Sequence, residues 1–137
     1  MSRPLPVSDA GSAGYWEAAA AGVLSIPRCR LCQMFTLPPE PVCVHCGSAE
    51  AGFQYVALSG RGVIRSWTVV RQSFLPGFDD DLPFALVDVE LAEQSELRMI
   101  GRLLDATADE LRIGAHAQVA FEQLAPGIAV PAFCLIR

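Results

Sequence analysis

The sequence predicts a mainly β chain: a short N-terminal helix, a four-cysteine zinc ribbon, then a small antiparallel barrel. Three observations carry this reading. Four cysteines form two knuckles, Cys29-x-x-Cys32 and Cys43-x-x-Cys46, with ten residues between the pairs. One stretch of helical period, around Tyr15 and Trp16, precedes them. From Phe53 onward the pattern changes to period two, with turn residues between the runs.

Residues 1–23 form the first unit. Residues 1–11, rich in Pro, Ser and Gly, read as a loose leader. Ser12 is placed to cap a helix that sets Tyr15, Trp16, Ala19, Ala20 and Val23 on one side, and Gly22 is placed to stop it. Glu17 is its one charge. A helix of about ten residues is marginal alone. Tyr15 and Trp16 are therefore expected to dock it, onto this chain or onto another.

Residues 24–50 form the ribbon. Strands at Leu24–Arg28 and Met34–Leu37 would flank the first knuckle, and Pro38, Pro39 and Pro41 carry the chain in extended form to the second. Two residues between cysteines let both sulfurs of one tight turn point at a common centre, so Cys29, Cys32, Cys43 and Cys46 supply four thiolates to one structural zinc per chain. With every position filled by protein, no open site remains for water or substrate. A redox dithiol normally opens a helix in a βαβ setting, which is not visible around either knuckle. Two disulfides would need an oxidising compartment, and Met1-Ser2-Arg3-Pro4-Leu5-Pro6 lacks the apolar run of a secretory signal, so a cytoplasmic protein is expected. His45 lies inside the second knuckle, but Cys46 has the better spacing. Cys134, in Phe133-Cys134-Leu135-Ile136, reads as a small buried hydrophobe.

Residues 51–137 form the barrel unit. Gly62–Gln72 alternates Val63, Arg65, Trp67, Val69 and Arg71 against Ile64, Ser66, Thr68 and Val70. Phe84–Leu91 sets Ala85, Val87, Val89 and Leu91 on one face. Leu97–Leu104 alternates again, with Gly101 where a bulge or tight bend is expected. One helical turn within Asp105–Leu111 precedes strands at Gln118–Gln123 and Val130–Ile136. Five or six strands with one small helical insertion suit a closed barrel of the oligonucleotide/oligosaccharide-binding (OB) type; an open sandwich is the alternative this pattern leaves.

At 137 residues and 52% hydrophobic, the chain can bury one real core against which the metal module leans. Its longest apolar runs are too short to span a membrane. All ten basic residues are arginine, the net charge is −5, and from residue 51 onward seven arginines face eleven acids. That balance argues against nucleic acid as the main partner. The sequence contains no G-x-S-x-G, no phosphate-cradling glycine loop and no H-E-x-x-H, and His116, in Gly114-Ala115-His116-Ala117, has no catalytic companion. Catalysis by this chain alone is not expected.

Two regions are candidate contact sites. Arg65, Trp67 and Arg71 would offer guanidinium forks and an aromatic face to an adenine nucleotide, although an amphipathic strand alone also explains them. Asp79-Asp80-Asp81 nearby would repel a polyphosphate and reads as a solvated turn. Phe74, Leu75 and Phe78 lie in a surface loop and, with Tyr15 and Trp16, are the candidate partner interface.

Tyr15-Trp16-Glu17-Ala18-Ala19, Gly22-x-Leu24, the knuckles, Leu37-Pro38-Pro39, Gly60-x-Gly62, Ser66-x-Thr68, Pro83, Leu111-x-Ile113-Gly114 and Pro131-x-Phe133 occur in an order that resembles the zinc-ribbon plus OB-fold proteins described as acyl-CoA-associated. Gln33 stands where that family often has glycine, and Glu40 where a base often follows the double proline. The resemblance implies a non-catalytic subunit that stabilises a thiolase-like enzyme, either a sterol-carrier-type thiolase or an aldolase of bacterial steroid side-chain breakdown, and in some assemblies helps shape the route for the acyl-CoA. Some members of the family are fused or bound to MaoC-like hydratases. Thiolase-like enzymes are commonly dimers, which implies a two-plus-two hetero-oligomer. A discrete acyl-CoA binder acting without a partner is the alternative function.

Overall fold

The computed structural model describes residues 2–137. The helix α1 (Ala13–Ala20) is followed by β1 (Ser25–Arg28), β2 (Gln54–Ala57), β3 (Arg61–Val70), β4 (Phe84–Leu91), β5 (Arg98–Arg102), β6 (His116–Ala125) and β7 (Ile128–Leu135). β1 pairs antiparallel with β2, so the ribbon is an excursion between two paired strands. The main sheet has the order β5-β4-β3-β6-β7, all antiparallel. A parallel bridge between Leu103 and Phe133 joins its two ends and closes the barrel. Among the described residues, no helix is long and apolar enough to cross a membrane.

At the start of α1 the cap is Asp9 and not the Ser12 side chain. The Asp9 carboxylate accepts hydrogen bonds from the Ser12 N–H and hydroxyl, each at 2.8 Å, and its carbonyl accepts from the Ala13 N–H. Gly22, at φ 77°, ends the helix, as its N–H and that of Val23 fold back onto the Ala19 and Ala18 carbonyls. Tyr15 packs against the barrel core, which docks the helix on its own chain. Burial there pushes the Tyr15 hydroxyl up to about 12.

The core lies inside the barrel, with Ile64, Val87, Val89, Leu91 and Phe133 fully enclosed and Leu24 and Ile26 of the β1 region joining them. β4 alternates as its sequence predicts, burying Ala85, Val87, Val89 and Leu91. β3 does not. A bulge between Ile64 and Ser66 absorbs one residue, so that Ile64 faces Val89 while Trp67 faces Val87 and Val69 faces Ala85. Ile64 and Trp67 thus share the core side, and Arg65, expected beside Trp67, instead reaches Glu90 at 3.6 Å. The expected strand at Met34–Leu37 reduces to a single bridge between Arg28 and Phe35, because the prolines that follow have no N–H to extend a ladder.

The leader is not loose. Arg3 bonds to Asp81, to Glu122 at 3.1 Å and to the Gly77 carbonyl, and its guanidinium lies 4.7 Å from the centre of the Phe78 ring. Arg102 joins the same carboxylates from the barrel side, at 3.3 Å from Asp81 and 3.7 Å from Glu122, and stacks over Phe84. Gly77 is required here, since a Cβ would lie 2.6 Å from the Arg3 backbone nitrogen. The hydrogen bond from Arg3, then that from Arg102, holds the Asp81 carboxyl below its ordinary value of 3.8. A carboxylate with a lowered folded pKa contributes stability above its unfolded value and loses it as pH falls through the folded one. The leader is therefore expected to stay fastened at neutral pH and to release below pH 3.8. Arg3→Ala should release it at neutral pH, read as several-fold faster amide exchange of the leader; an unchanged rate in this variant would show that the ion pairs do not hold it.

Candidate functional site

The four knuckle cysteines converge. Their sulfurs all lie within 4.8 Å of one another, with Cys29 to Cys46 at 3.9 Å and Cys32 to Cys43 at 3.7 Å. A tetrahedron of zinc–sulfur bonds requires sulfurs about 3.8 Å apart, so the cage fits zinc. Tight turns build it: the Gln33 N–H bonds to the Cys29 carbonyl and the Gly47 N–H to the Cys43 carbonyl, each knuckle closing on its first cysteine. Gln33 and Gly47 both take positive φ, which explains why glycine is usual at either position; Gln33 holds it while its side-chain amide donates to the Arg30 carbonyl at 2.7 Å. The Cys46 N–H, aided by that of His45, outweighs burial and holds the Cys43 thiol down, whereas at Cys32 and Cys46 the backbone N–H groups of Met34 and Ser48 are outweighed by burial and the neighbouring sulfurs, which push those thiols up. His45 stands outside the cage, its Nε2 3.1 Å from the Phe35 carbonyl. One structural zinc therefore belongs to Cys29, Cys32, Cys43 and Cys46.

A residue that the sequence pattern passed over ties this cage to the barrel. Gln94, in the turn between β4 and β5, accepts from the Phe35 N–H at 2.8 Å and donates to the Phe35 carbonyl at 2.9 Å, taking the place of a neighbouring strand. The Arg28 guanidinium lies over the Phe35 ring, 5.4 Å from its centre. Gln94→Ala should cost about 1–2 kcal/mol by leaving the Phe35 N–H without its partner, the carbonyl keeping His45, read as a lower denaturation midpoint with zinc content unchanged. A midpoint equal to that of the parent would mean that water replaces the amide at no loss.

The predicted contact residues lie apart from the metal. Trp67 is 37% exposed on the core side of β3, whereas Arg65 turns to Glu90. Arg71 lines a groove of about 400 Å³ with Val69, Phe84 and Asp109. The structure thus separates Arg65 from Trp67 and does not gather the three side chains in one pocket. In the loop after β3, Phe74 is 92% and Leu75 57% exposed, while Phe78 turns inward between Arg3 and Phe84. Asp79 and Asp80 face solvent, but Asp81 is engaged by two arginines, so the triplet is not wholly a solvated turn. Trp16 meets the Tyr15 ring edge to face at 4.9 Å and lines a groove with Pro6, Ile128 and Ala129. A third, mostly apolar groove of about 410 Å³ lies under the loop, between Leu75, Phe78, Phe84 and Val130. His116 is exposed at the start of β6, and Cys134 is half-buried, less enclosed than its apolar neighbours predict.

Comparison with known proteins agrees with this architecture. The family model for the ChsH2 rubredoxin-like zinc ribbon domain matches residues 16–50, and that for the ChsH2 C-terminal OB-fold domain matches residues 55–122. Among solved structures, a chain of the Ltp2-ChsH2(DUF35) aldolase superposes with a TM-score of 0.80 at 29% identity, covering 95% of this chain and 98% of that one. A Sulfolobus solfataricus protein of unknown function from the DUF35 family shares the fold, with a TM-score of 0.59 at 11% identity over 94% of this chain and 87% of that one. A Thermomonospora curvata protein named probable enoyl-CoA hydratase alpha subunit is 30% identical over 131 residues, or 96% of this chain. The chain spans 39% of the length of that curated relative. Zinc cage, barrel and both matched domains follow in the same order, and the chain belongs to the ChsH2 family of zinc-ribbon plus OB-fold proteins.

Proposed function

We propose that this chain is a non-catalytic accessory subunit of an enzyme acting on acyl-CoA substrates, and that its partner is a thiolase-like chain, either a thiolase or a steroid side-chain retro-aldolase. The observation that carries the proposal is the end-to-end correspondence with a chain of the Ltp2-ChsH2(DUF35) aldolase. The chemistry of the residues supports it: the best-organised site is a closed metal cage suited to holding a fold together. The assembly would be a two-plus-two hetero-oligomer in the cytoplasm. A hydratase partner is the second reading, favoured by the relative named as an enoyl-CoA hydratase subunit.

Affinity purification of the chain from its own cells, with the co-eluting proteins identified and zinc counted, tests both readings. A stoichiometric thiolase-like or aldolase chain is expected; a hydratase chain would favour the second reading, and a zinc-loaded chain eluting alone would favour a discrete acyl-CoA binder. The loop after β3 is the proposed docking point, because Phe74 and Leu75 offer apolar surface to water. Phe74→Asp should weaken assembly by about tenfold or more with zinc unchanged, since truncation of a buried aromatic anchor commonly costs that much. Equal co-elution of the variant would move the interface elsewhere.

A further inference from the structure

We infer that the outer edge of β3 at Trp67 and Val69 is a β-strand acceptor, which adds an extended, carboxylate-bearing segment of the partner enzyme to the sheet; this rests on the reading of the chain as a subunit. The direction of the backbone groups follows from the ladders. In β4, Ala85 and Leu91 bond toward β5, through the Leu103 N–H and the Leu97 carbonyl, whereas Ala92 bonds toward β3 through the Arg61 carbonyl. Successive residues of a strand bond to opposite sides, so Phe84, Leu86 and Asp88 face β3. Their opposite numbers Val70, Thr68 and Ser66 bond back to β4. Trp67 and Val69 therefore send N–H and C=O away from it.

On that side β6 pairs with only Arg61–Val63, and Ile64 bonds with Gly114 and Ala115 before the chain turns away. Among the described residues, no hydrogen bond from another element reaches the backbone of residues 65–70 outside the β3–β4 ladder. The middle of β3, from Arg65 to Thr68, is exposed residue after residue, in keeping with a stretch that β4 alone borders.

Charge selects the occupant. Arg65 and Arg71 flank the open stretch; Arg65 has one long contact, to Glu90, and Arg71 has no carboxylate within 4 Å among the described residues. A second copy of this chain fits poorly. The antiparallel register that pairs the two open residues with one another across the copies sets Trp67 against Val69 and Arg65 against Arg71, like charges directly opposed. An extended segment with carboxylates meets the same two arginines favourably. The edge also runs straight into the loop carrying Phe74 and Leu75, so one partner can cover both.

The test compares amide exchange in the free chain and in the assembly purified from its own cells. The Trp67 and Val69 amides should exchange fast in the free chain and at least about tenfold more slowly in the assembly, while Ser66 and Thr68 are protected in both. Val69→Pro removes an outward N–H, at a position where an edge strand tolerates proline, and exchanges one half-buried apolar side chain for another; it should keep zinc and fold and weaken assembly by about tenfold. Arg71→Glu should also weaken assembly, and unchanged affinity in that variant would overturn the acidic occupant. Trp67 and Val69 amides that exchange at the free-chain rate within a formed assembly would overturn the edge proposal and leave the subunit reading standing. A wild-type chain that forms no assembly would overturn both. Protection that rises with the concentration of the isolated chain would replace the partner segment with a second copy.

Discussion

Cys43→Ser, or removal of the metal by a chelator, is expected to take zinc from one to none per chain and to unfold residues 29–53 while the barrel survives. The ribbon's own apolar cluster is only Cys29, Cys43 and Ala51, with Cys32 and Phe53 at its edge. So small a core cannot offset the conformational entropy of ordering the segment, which costs about 1–2 kcal/mol per residue in the backbone alone. Metal binding, worth on the order of 10 kcal/mol in structural four-ligand sites, is the contribution whose loss tips the ribbon toward the unfolded state. The barrel loses the edge contacts of Phe35 and Leu37 but keeps its centre: Leu24 and Ile26 of the β1 region are buried in the main core and hold β1 in place. Amide exchange with and without chelator separates the two parts. The bonds expected to open are Cys29 N–H to Met34, Arg30 N–H to Ala51 and Cys43 N–H to Ser48, with the β4 amides still protected. A metal-free ribbon that keeps its protection would mean that packing and not zinc holds it.

What the sequence made legible was local or periodic. Two residues between cysteines fix the sulfur geometry within one turn, so the cage could be read without knowing the rest of the fold. β4 is buried on one side only, and its alternation names its inner face. The β3 bulge left no such signal, because the apolar residues on its two sides continue a plausible alternation and only the register against β4 exposes the extra residue. The fastening of Arg3 was equally hidden: its carboxylate partners lie 78 and 119 residues away, and ion pairs across such distances have no period to detect. Gln94 reads as an ordinary polar turn residue until the ribbon backbone is placed against it.

Phe133→Ala is expected to cost about 3–5 kcal/mol, the range for a fully enclosed aromatic whose cavity the surroundings cannot fill. The ring sits at the closure of the barrel, where β7 meets the end of β5 at Leu103, so its loss weakens a seam as well as a core. Its neighbour across that seam explains Gly101, expected from sequence to mark a bulge or bend. Gly101 pairs regularly with Val87, and a Cβ there would lie 2.8 Å from Cδ2 of Phe133. The glycine is thus the hole into which the ring fits. Gly101→Ala should cost about 1–3 kcal/mol by overpacking. Combining the two changes should cost less than their sum, because the alanine methyl then enters space that the ring has left. Denaturant unfolding of the parent, both single variants and the double variant measures this coupling. Effects that add to within about 0.5 kcal/mol would show that the two residues do not compete for one space.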